Sequence, residues 1–65
     1  MKDEWTGVLI GKMHNAEVTM DEMAKELGWG KGYVSMILNC HRRPEGARQK
    51  METAFIDIVR KRMSE

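Results

Sequence analysis

The segment from Thr19 to Gly28 carries both a start and a stop signal for a helix, and it constrains the fold more than any other part of the chain. Thr19 followed by Glu22 is a capping box, in which each side chain bonds the other residue's backbone amide. Val18, before the cap, is expected to pack on Met23. Gly28 then ends the helix, because glycine adopts the left-handed C-cap conformation at little cost. The sequence therefore predicts a short helix with well-defined ends.

Helical spacing recurs along the rest of the chain, and no segment alternates apolar and polar residues with a period of two. We expect a first helix over about residues 3–14 with Asp3 as its N-cap, and a third over about residues 31–39. Pro44 is expected to start the last helix, about residues 45–63, where its missing amide proton costs nothing. The predicted fold class is all-α, a compact bundle of four helices, or five, in a single domain spanning residues 1–65.

The apolar faces of these helices supply the candidate core. Gly7 and Gly11 weaken the first helix by up to ~1 kcal/mol each relative to alanine. Because they are four residues apart, we expect a smooth strip there on which a neighbouring helix packs closely. Asp57 and Lys61 are expected to form an i,i+4 ion pair on the outside of the last helix. The candidate core residues are Trp5, Leu9, Met13, Ala16, Met20, Met23, Ala24, Leu27, Val34, Ile37, Leu38, Ala47, Met51, Ala54, Phe55, Ile58 and Val59.

Composition excludes several classes of protein. Hydrophobic residues make up 42% of the chain and charged residues 32%, which is typical of a globular domain, and a net charge of +1 excludes a globally basic DNA-coating protein and an acidic nucleic-acid mimic. At 65 residues an enzyme with its own deep pocket is not expected. The adjacent Cys40 and His41 lack zinc-ligand spacing, so no metal and no cofactor are expected. A single thiol and the lack of an export signal or an apolar span predict a cytoplasmic protein without a membrane partner.

The positive charge is concentrated in one part of the sequence. Residues 1–27 carry a net charge of −3, residues 28–50 of +4, and residues 51–65 of zero. The basic excess coincides with the third helix and the loop that follows it, which favours nucleic acid as the partner.

The second and third helices, joined by a glycine turn, predict a helix-turn-helix over about residues 19–39. Ala24 is small where the next helix crosses, Gly28 makes the turn, and Val34 and Ile37 anchor the second helix of the motif. In these residues the chain resembles the Cro/lambda-repressor (XRE-type) class of helix-turn-helix proteins. The resemblance continues through the basic loop of residues 39–44 and covers most of the chain.

The resemblance implies a DNA-binding regulator of transcription of the phage or mobile-element type, most simply a repressor, in a bacterial or phage-infected cell. It implies a homodimer on a palindromic operator in double-stranded DNA, with no small-molecule ligand. The implied base-reading residues are Lys31, Gly32, Ser35 and Met36. Lys31 can donate to guanine and Met36 can touch a thymine methyl, whereas Gly32 replaces the usual polar reader and lets the backbone approach closely. The expected DNA-backbone residues are Thr19, Gly30, Tyr33, Asn39, His41, Arg42, Arg43 and Arg48.

Two other functions remain open from the sequence. The same helix-turn-helix face can bind and control a partner protein, which the low net charge and Met36 favour. A DNA-bending excision or architectural factor is the third reading. The last helix carries more apolar surface than its short partners cover, so Ile56, Val59 and Met63 are candidates for a dimer interface or, alternatively, for capping the core.

Overall fold

A computed structural model describes residues 4–64 of the chain. It contains α1 (Glu4–Asn15), α2 (Met20–Leu27), α3 (Lys31–Leu38) and α4 (Ala47–Met63), with no strand among the described residues. The predicted all-α fold class is thereby confirmed, with four helices in the described part. The proposed N-cap Asp3 lies outside the described residues.

The capping box at the start of α2 is present in full. The Glu22 amide donates to Thr19 Oγ1 at 3.1 Å, and the Thr19 amide donates to Glu22 Oε1 at 3.1 Å. Val18 and Met23 are both buried in the core, as a hydrophobic staple requires. At the other end, Gly28 takes the left-handed conformation with φ 73°. Both ends of α2 therefore form as the sequence predicts.

α1 ends on a left-handed residue that is not a glycine. Glu17 has φ 57°, and its amide donates to His14 O at 3.2 Å. The next amide, that of Val18, donates to Met13 O at 2.8 Å. These two hydrogen bonds form a Schellman motif. Val18 and Met13, the residues that such a motif often brings into apolar contact, are both buried.

The last helix begins later than the sequence predicts. Its first residue is Ala47, preceded by Gly46 in the left-handed conformation with φ 77°. The Ala47 amide donates to Pro44 O at 3.2 Å, so residues 44–47 form a turn before the helix. The prediction that Pro44 starts the helix is wrong, because the left-handed backbone at Gly46 separates the proline from α4.

The four helices enclose one core. α2 contacts α3 and α4, and α1 packs on α3 and α4. Gly7 and Gly11 are exposed, and a Cβ added at either would meet nothing within 4 Å, so the expected packing of a helix of this chain on the glycine strip is wrong. The buried apolar residues are Leu9, Met13, Val18, Met23, Ala24, Val34, Ile37, Leu38, Ala47, Met51, Ala54 and Ile58, and those partly buried against them are Trp5, Ala16, Met20, Leu27, Trp29, Tyr33, Phe55 and Val59.

Arg62 ties the end of α4 to the junction between α1 and α2. Its Nη1 donates to Ala16 O at 2.6 Å, and its Nη2 donates to Glu17 O at 3.1 Å and to Glu22 Oε2 at 2.6 Å. The Thr19 amide and, next, the Arg62 guanidinium lower the pKa of Glu22 below its ordinary 4.5. One side chain therefore joins three helices at their ends.

Lys61 makes a second contact between helices. Its Nζ lies 2.7 Å from Glu26 Oε1 of α2, and this hydrogen bond raises the pKa of Lys61 above 10.5. Asp57 adds a smaller attraction in the same direction. The sequence identified Asp57 as the partner of Lys61, whereas the structure brings the carboxylate of Glu26 into hydrogen-bonding contact. None of the helices within residues 4–64 has the length and apolar character needed to cross a membrane.

Candidate nucleic-acid interface

α3 has one face in the core and another at the surface. Val34 and Ile37 are buried, and Leu38 is buried beside them. Lys31 and Gly32, on the first turn, are exposed. The joint from α2 is only three residues long, 28–30, and α2 and α3 are in contact. The core therefore fixes α3 against α2 while its first turn stays open to a ligand.

Lys31 lies next to a carboxylate that the sequence analysis did not include in the site. Its Nζ is 3.6 Å from Asp21 Oδ2, and both side chains are largely exposed. Asp21 belongs to the first turn of α2, where an acidic residue is already explained by the helix dipole. The sequence alone does not show that Asp21 also lies beside Lys31, because that contact depends on how α3 packs against α2. The pair reduces the net positive charge at the start of α3.

The remaining predicted base-reading residues follow along α3. Gly32 is exposed, and a Cβ added there would meet nothing within 4 Å. Met36 is 43% exposed, so its apolar side chain reaches the surface of α3. Ser35 is half-buried, and Asn39 Nδ2 donates to its carbonyl at 2.9 Å and to its Oγ at 3.2 Å. Asn39 therefore closes the end of α3 with the side chain that was expected on phosphate.

The loop after α3 folds back onto the end of that helix. The Cys40 amide donates to Ile37 O at 3.1 Å and the His41 amide to Met36 O at 2.8 Å, which is a second Schellman motif. Cys40 occupies its left-handed position with φ 62°. The Arg42 amide also donates to Met36 O, at 3.3 Å. This backbone geometry brings the start of the basic loop next to the exposed Met36.

The side chains of the basic loop lie at the surface. His41, Arg42 and Arg43 are all exposed. Cys40 is half-buried, and its Sγ lies 3.6 Å from Oγ1 of Thr6, a fully buried residue of α1. The Cys40 side chain thus faces α1, while His41, Arg42 and Arg43, which follow it, are exposed.

The aromatic pair at the turn packs within the domain. The rings of Trp29 and Tyr33 meet edge to face, with centroids 5.1 Å apart and an angle of 83° between their planes. Both residues lie partly buried against the core. Gly30, between α2 and α3, caps α3 in an extended conformation with φ −74° and no side-chain hydrogen bond. Because glycine has no side chain, Gly30 gives the amides of the first turn of α3 no capping hydrogen bond.

Two predicted DNA-backbone residues lie among acidic neighbours. The Thr19 hydroxyl takes part in the capping box with Glu22, and Asp21 is in the same first turn. Arg48 Nε lies 3.4 Å from Glu52 Oε2 on α4, and the two line a depression with residues of α1 that include Glu4. At Thr19 and at Arg48, a carboxylate therefore lies close to the group that was expected to contact phosphate.

The candidate dimer residues differ in their exposure. Met63 is 80% exposed and Ile56 47%, whereas Val59 is partly buried against the core. Among residues 4–64, no three His, Cys, Asp or Glu side chains form a group that could hold a metal ion. The chain matches no family model, no curated protein and no solved structure.

Proposed function

We propose that this protein binds double-stranded DNA in a sequence-specific manner and regulates transcription, as a repressor that occupies a promoter. In this proposal α2 and α3 act as a helix-turn-helix of the Cro/lambda-repressor type, and the chain is a regulator of the phage or mobile-element kind. α3 enters the major groove, and two subunits bind the two halves of a palindromic operator.

The observation that carries the proposal is the position of the basic loop relative to the open face of α3. The amides of His41 and Arg42 both donate to Met36 O, so the loop begins at the C-terminal turn of α3, where the Met36 side chain is exposed. A helix in the major groove needs cations beside it, because phosphates flank the groove on both sides. Arg42 and Arg43 supply such cations at the end of α3.

The roles of the residues follow from this placement. Lys31 donates to guanine O6 or N7, and Met36 contacts a thymine methyl. Gly32 presents the backbone with no side chain between it and the base edges. Arg42 and Arg43 bind phosphate and fix the register of α3 on the duplex.

The test is a titration of a fluorescently labelled random duplex, followed by anisotropy at low and at moderate salt. We expect affinity to fall steeply with salt, since each phosphate contact contributes a slope of roughly −0.9 in log K against log salt concentration. Arg42→Ala is expected to weaken binding to all sequences and to reduce the magnitude of that slope by about one. Lys25→Ala is the matched control. Lys25 is also an exposed cation, but it lies on the part of α2 that borders α4, in a depression that Lys61 also lines.

Base reading is tested on an operator selected from random sequence. Lys31→Ala is expected to reduce discrimination at one base position by roughly 1–3 kcal/mol while leaving affinity for random duplex largely unchanged. An equal loss on every sequence would instead make Lys31 a phosphate contact. A folded protein that does not bind duplex at low salt contradicts the whole proposal.

Binding of a protein partner is the second candidate, and two observations favour it. Met36 is 43% exposed on α3, and Asp21 lies beside Lys31 and reduces the net charge there. Exposed methionines suit adaptable apolar interfaces. A partner that binds this surface and is not displaced by excess duplex DNA would support this second function over the first.

A further inference from the structure

We propose that Asp21 is a specificity-determining residue, whose carboxylate repels phosphate from the ammonium of Lys31 and so leaves that ammonium for guanine. Asp21 is a positioning residue in this role, because it acts on DNA through Lys31. The inference rests on the proposed function, since it assigns a role within the proposed DNA-binding surface. Its test compares variants on duplexes that the wild type binds, so the inference can fail while DNA binding stands.

The ion pair joins the first turns of two helices. Asp21 lies in the first turn of α2, and Lys31 is the first residue of α3. Lys31 Nζ lies 3.6 Å from Asp21 Oδ2, and the two side chains are 63% and 71% exposed. A DNA group that reaches the ammonium of Lys31 therefore also meets the carboxylate of Asp21.

The other acidic residue in the first turn of α2 has different partners. Glu22 accepts a hydrogen bond from the Thr19 amide at 3.1 Å and pairs with Arg62 at 2.6 Å. Asp21 adds a favourable charge at the positive end of the helix dipole, which requires no contact with α3. Of the two carboxylates, that of Asp21 is therefore the one placed to act on a ligand of α3.

A phosphate bound by Lys31 would lie close to the carboxylate of Asp21. A hydrogen bond from an ammonium to a phosphate oxygen is about 2.8 Å long, which puts that oxygen within about 6.4 Å of Asp21 Oδ2. This separation is shorter than the Debye length of about 8 Å at physiological salt, so the repulsion between the two anions is only partly screened. Asp21 therefore makes a phosphate contact at Lys31 less favourable.

The edge of a guanine–cytosine pair does not carry that penalty. Guanine O6 and N7 accept hydrogen bonds without a net charge, and the cytosine N4 amino group beside O6 is a donor that attracts a carboxylate. An ammonium has three donor hydrogens, so Lys31 can bind Asp21 and guanine together. The pair therefore favours guanine over phosphate at the start of α3.

The anisotropy titration on random duplex and on an operator selected with the wild type tests this preference. Asp21→Asn is expected to bind random duplex at least about threefold more tightly at about 50 mM salt, because Lys31 gains a phosphate contact that steepens the slope of log K against log salt concentration by roughly 0.9. The ratio of operator affinity to random-duplex affinity is expected to fall at least about threefold, since the operator complex keeps Lys31 on guanine. An unchanged slope and ratio, in a protein whose wild type binds duplex, would overturn the inference and leave the proposed function standing.

Asp57→Asn is the matched control for net charge. It also removes one carboxylate, but from α4, in a depression that Glu26 of α2 lines. We expect the wild-type ratio of operator affinity to random-duplex affinity in this variant. If Asp57→Asn lowered the ratio as much as Asp21→Asn does, net charge alone would explain the effect and the inference would be refuted.

A double-variant cycle shows whether Asp21 acts through Lys31. Lys31→Ala is expected to change random-duplex affinity by less than about twofold in the wild type, but to lower it at least about threefold in Asp21→Asn, where the ammonium holds phosphate. Equal losses in the two backgrounds would show that the residues act independently, against the inference.

A conservative replacement separates the charge of Asp21 from a structural role. Asp21→Glu is expected to keep the wild-type slope and ratio, because its carboxylate still repels phosphate. Thermal unfolding of each variant checks the fold, which we expect to persist because the capping box of Thr19 and Glu22 is unchanged. If Asp21→Glu were folded and bound DNA as Asp21→Asn does, repulsion by the carboxylate could not be the cause and the inference would be wrong.

Discussion

Arg62→Ala is expected to destabilise the fold by about 1–2 kcal/mol. The wild-type guanidinium donates to Ala16 O, Glu17 O and Glu22 Oε2, at 2.6, 3.1 and 2.6 Å. A hydrogen bond to a charged group contributes about 1.5–3 kcal/mol when it is buried. The Arg62 side chain is 40% exposed, so solvent screens each contact and the sum is discounted to the range given.

The loss is measured by urea unfolding and by thermal unfolding, each followed by circular dichroism at neutral pH. For a domain of this size we expect a melting temperature lower by about 5–15 °C. Arg62→Lys is expected to lose most of the same stability, because an ammonium lacks the planar fork that reaches two carbonyls and a carboxylate together. Arg60→Ala is the matched control and is expected to cost less than about 0.5 kcal/mol. If Arg62→Ala were no more destabilising than Arg60→Ala, the contact between α4 and the α1–α2 junction would contribute nothing to folding.

Three further predictions concern single positions. Glu17→Gly is expected to stabilise the fold by about 0.5–1 kcal/mol in urea unfolding, because glycine adopts the left-handed φ of 57° without steric cost; an unchanged midpoint would contradict this. Because the pKa of Glu22 is lowered from 4.5, the stability that its ionised form provides is present above pH 4.5 and is lost as the pH falls through the lowered pKa. Unfolding at a series of pH values should show that loss in the wild type and not in Glu22→Gln, and parallel curves would argue against it. Gly32→Ala is expected to stabilise α3 by about 0.5–1 kcal/mol, since the added Cβ meets nothing within 4 Å, yet to weaken duplex binding at least threefold in the anisotropy titration. Unchanged affinity would show that the backbone at Gly32 does not approach DNA.

The sequence predicts the parts of the fold that depend on local signals. The capping box at Thr19 and the glycine at position 28 fix both ends of α2, because their hydrogen bonds and φ values involve only neighbouring residues. The burial of Val34 and Ile37 follows from helical periodicity. These features need no knowledge of how the helices pack against one another.

The features that the sequence missed are of two kinds. Glu17 and Cys40 take left-handed conformations that propensity assigns to glycine, and the hydrogen bonds of the helix ends hold them there. Arg62 and Asp21 form contacts with residues far away in the sequence, which only the packing of α4 and α3 on α2 brings near. For the candidate site, the sequence identified the residues on α3 and in the loop but not the acidic neighbour that reduces their charge.

The pairing of cations within the chain bears on how one subunit can hold DNA. Lys31, Arg48, Lys61 and Arg62 each lie between 2.6 and 3.6 Å from a carboxylate oxygen. Each pair partly offsets the charge of its cation, and in the proposed complex Arg42 adds attraction for phosphate at the end of α3. Since the salt slope grows with the number of phosphates contacted, two subunits on a full palindromic site should give about twice the slope of one subunit on a half-site. Equal slopes on the palindromic site and on a half-site would mean that DNA is bound by one subunit at a time.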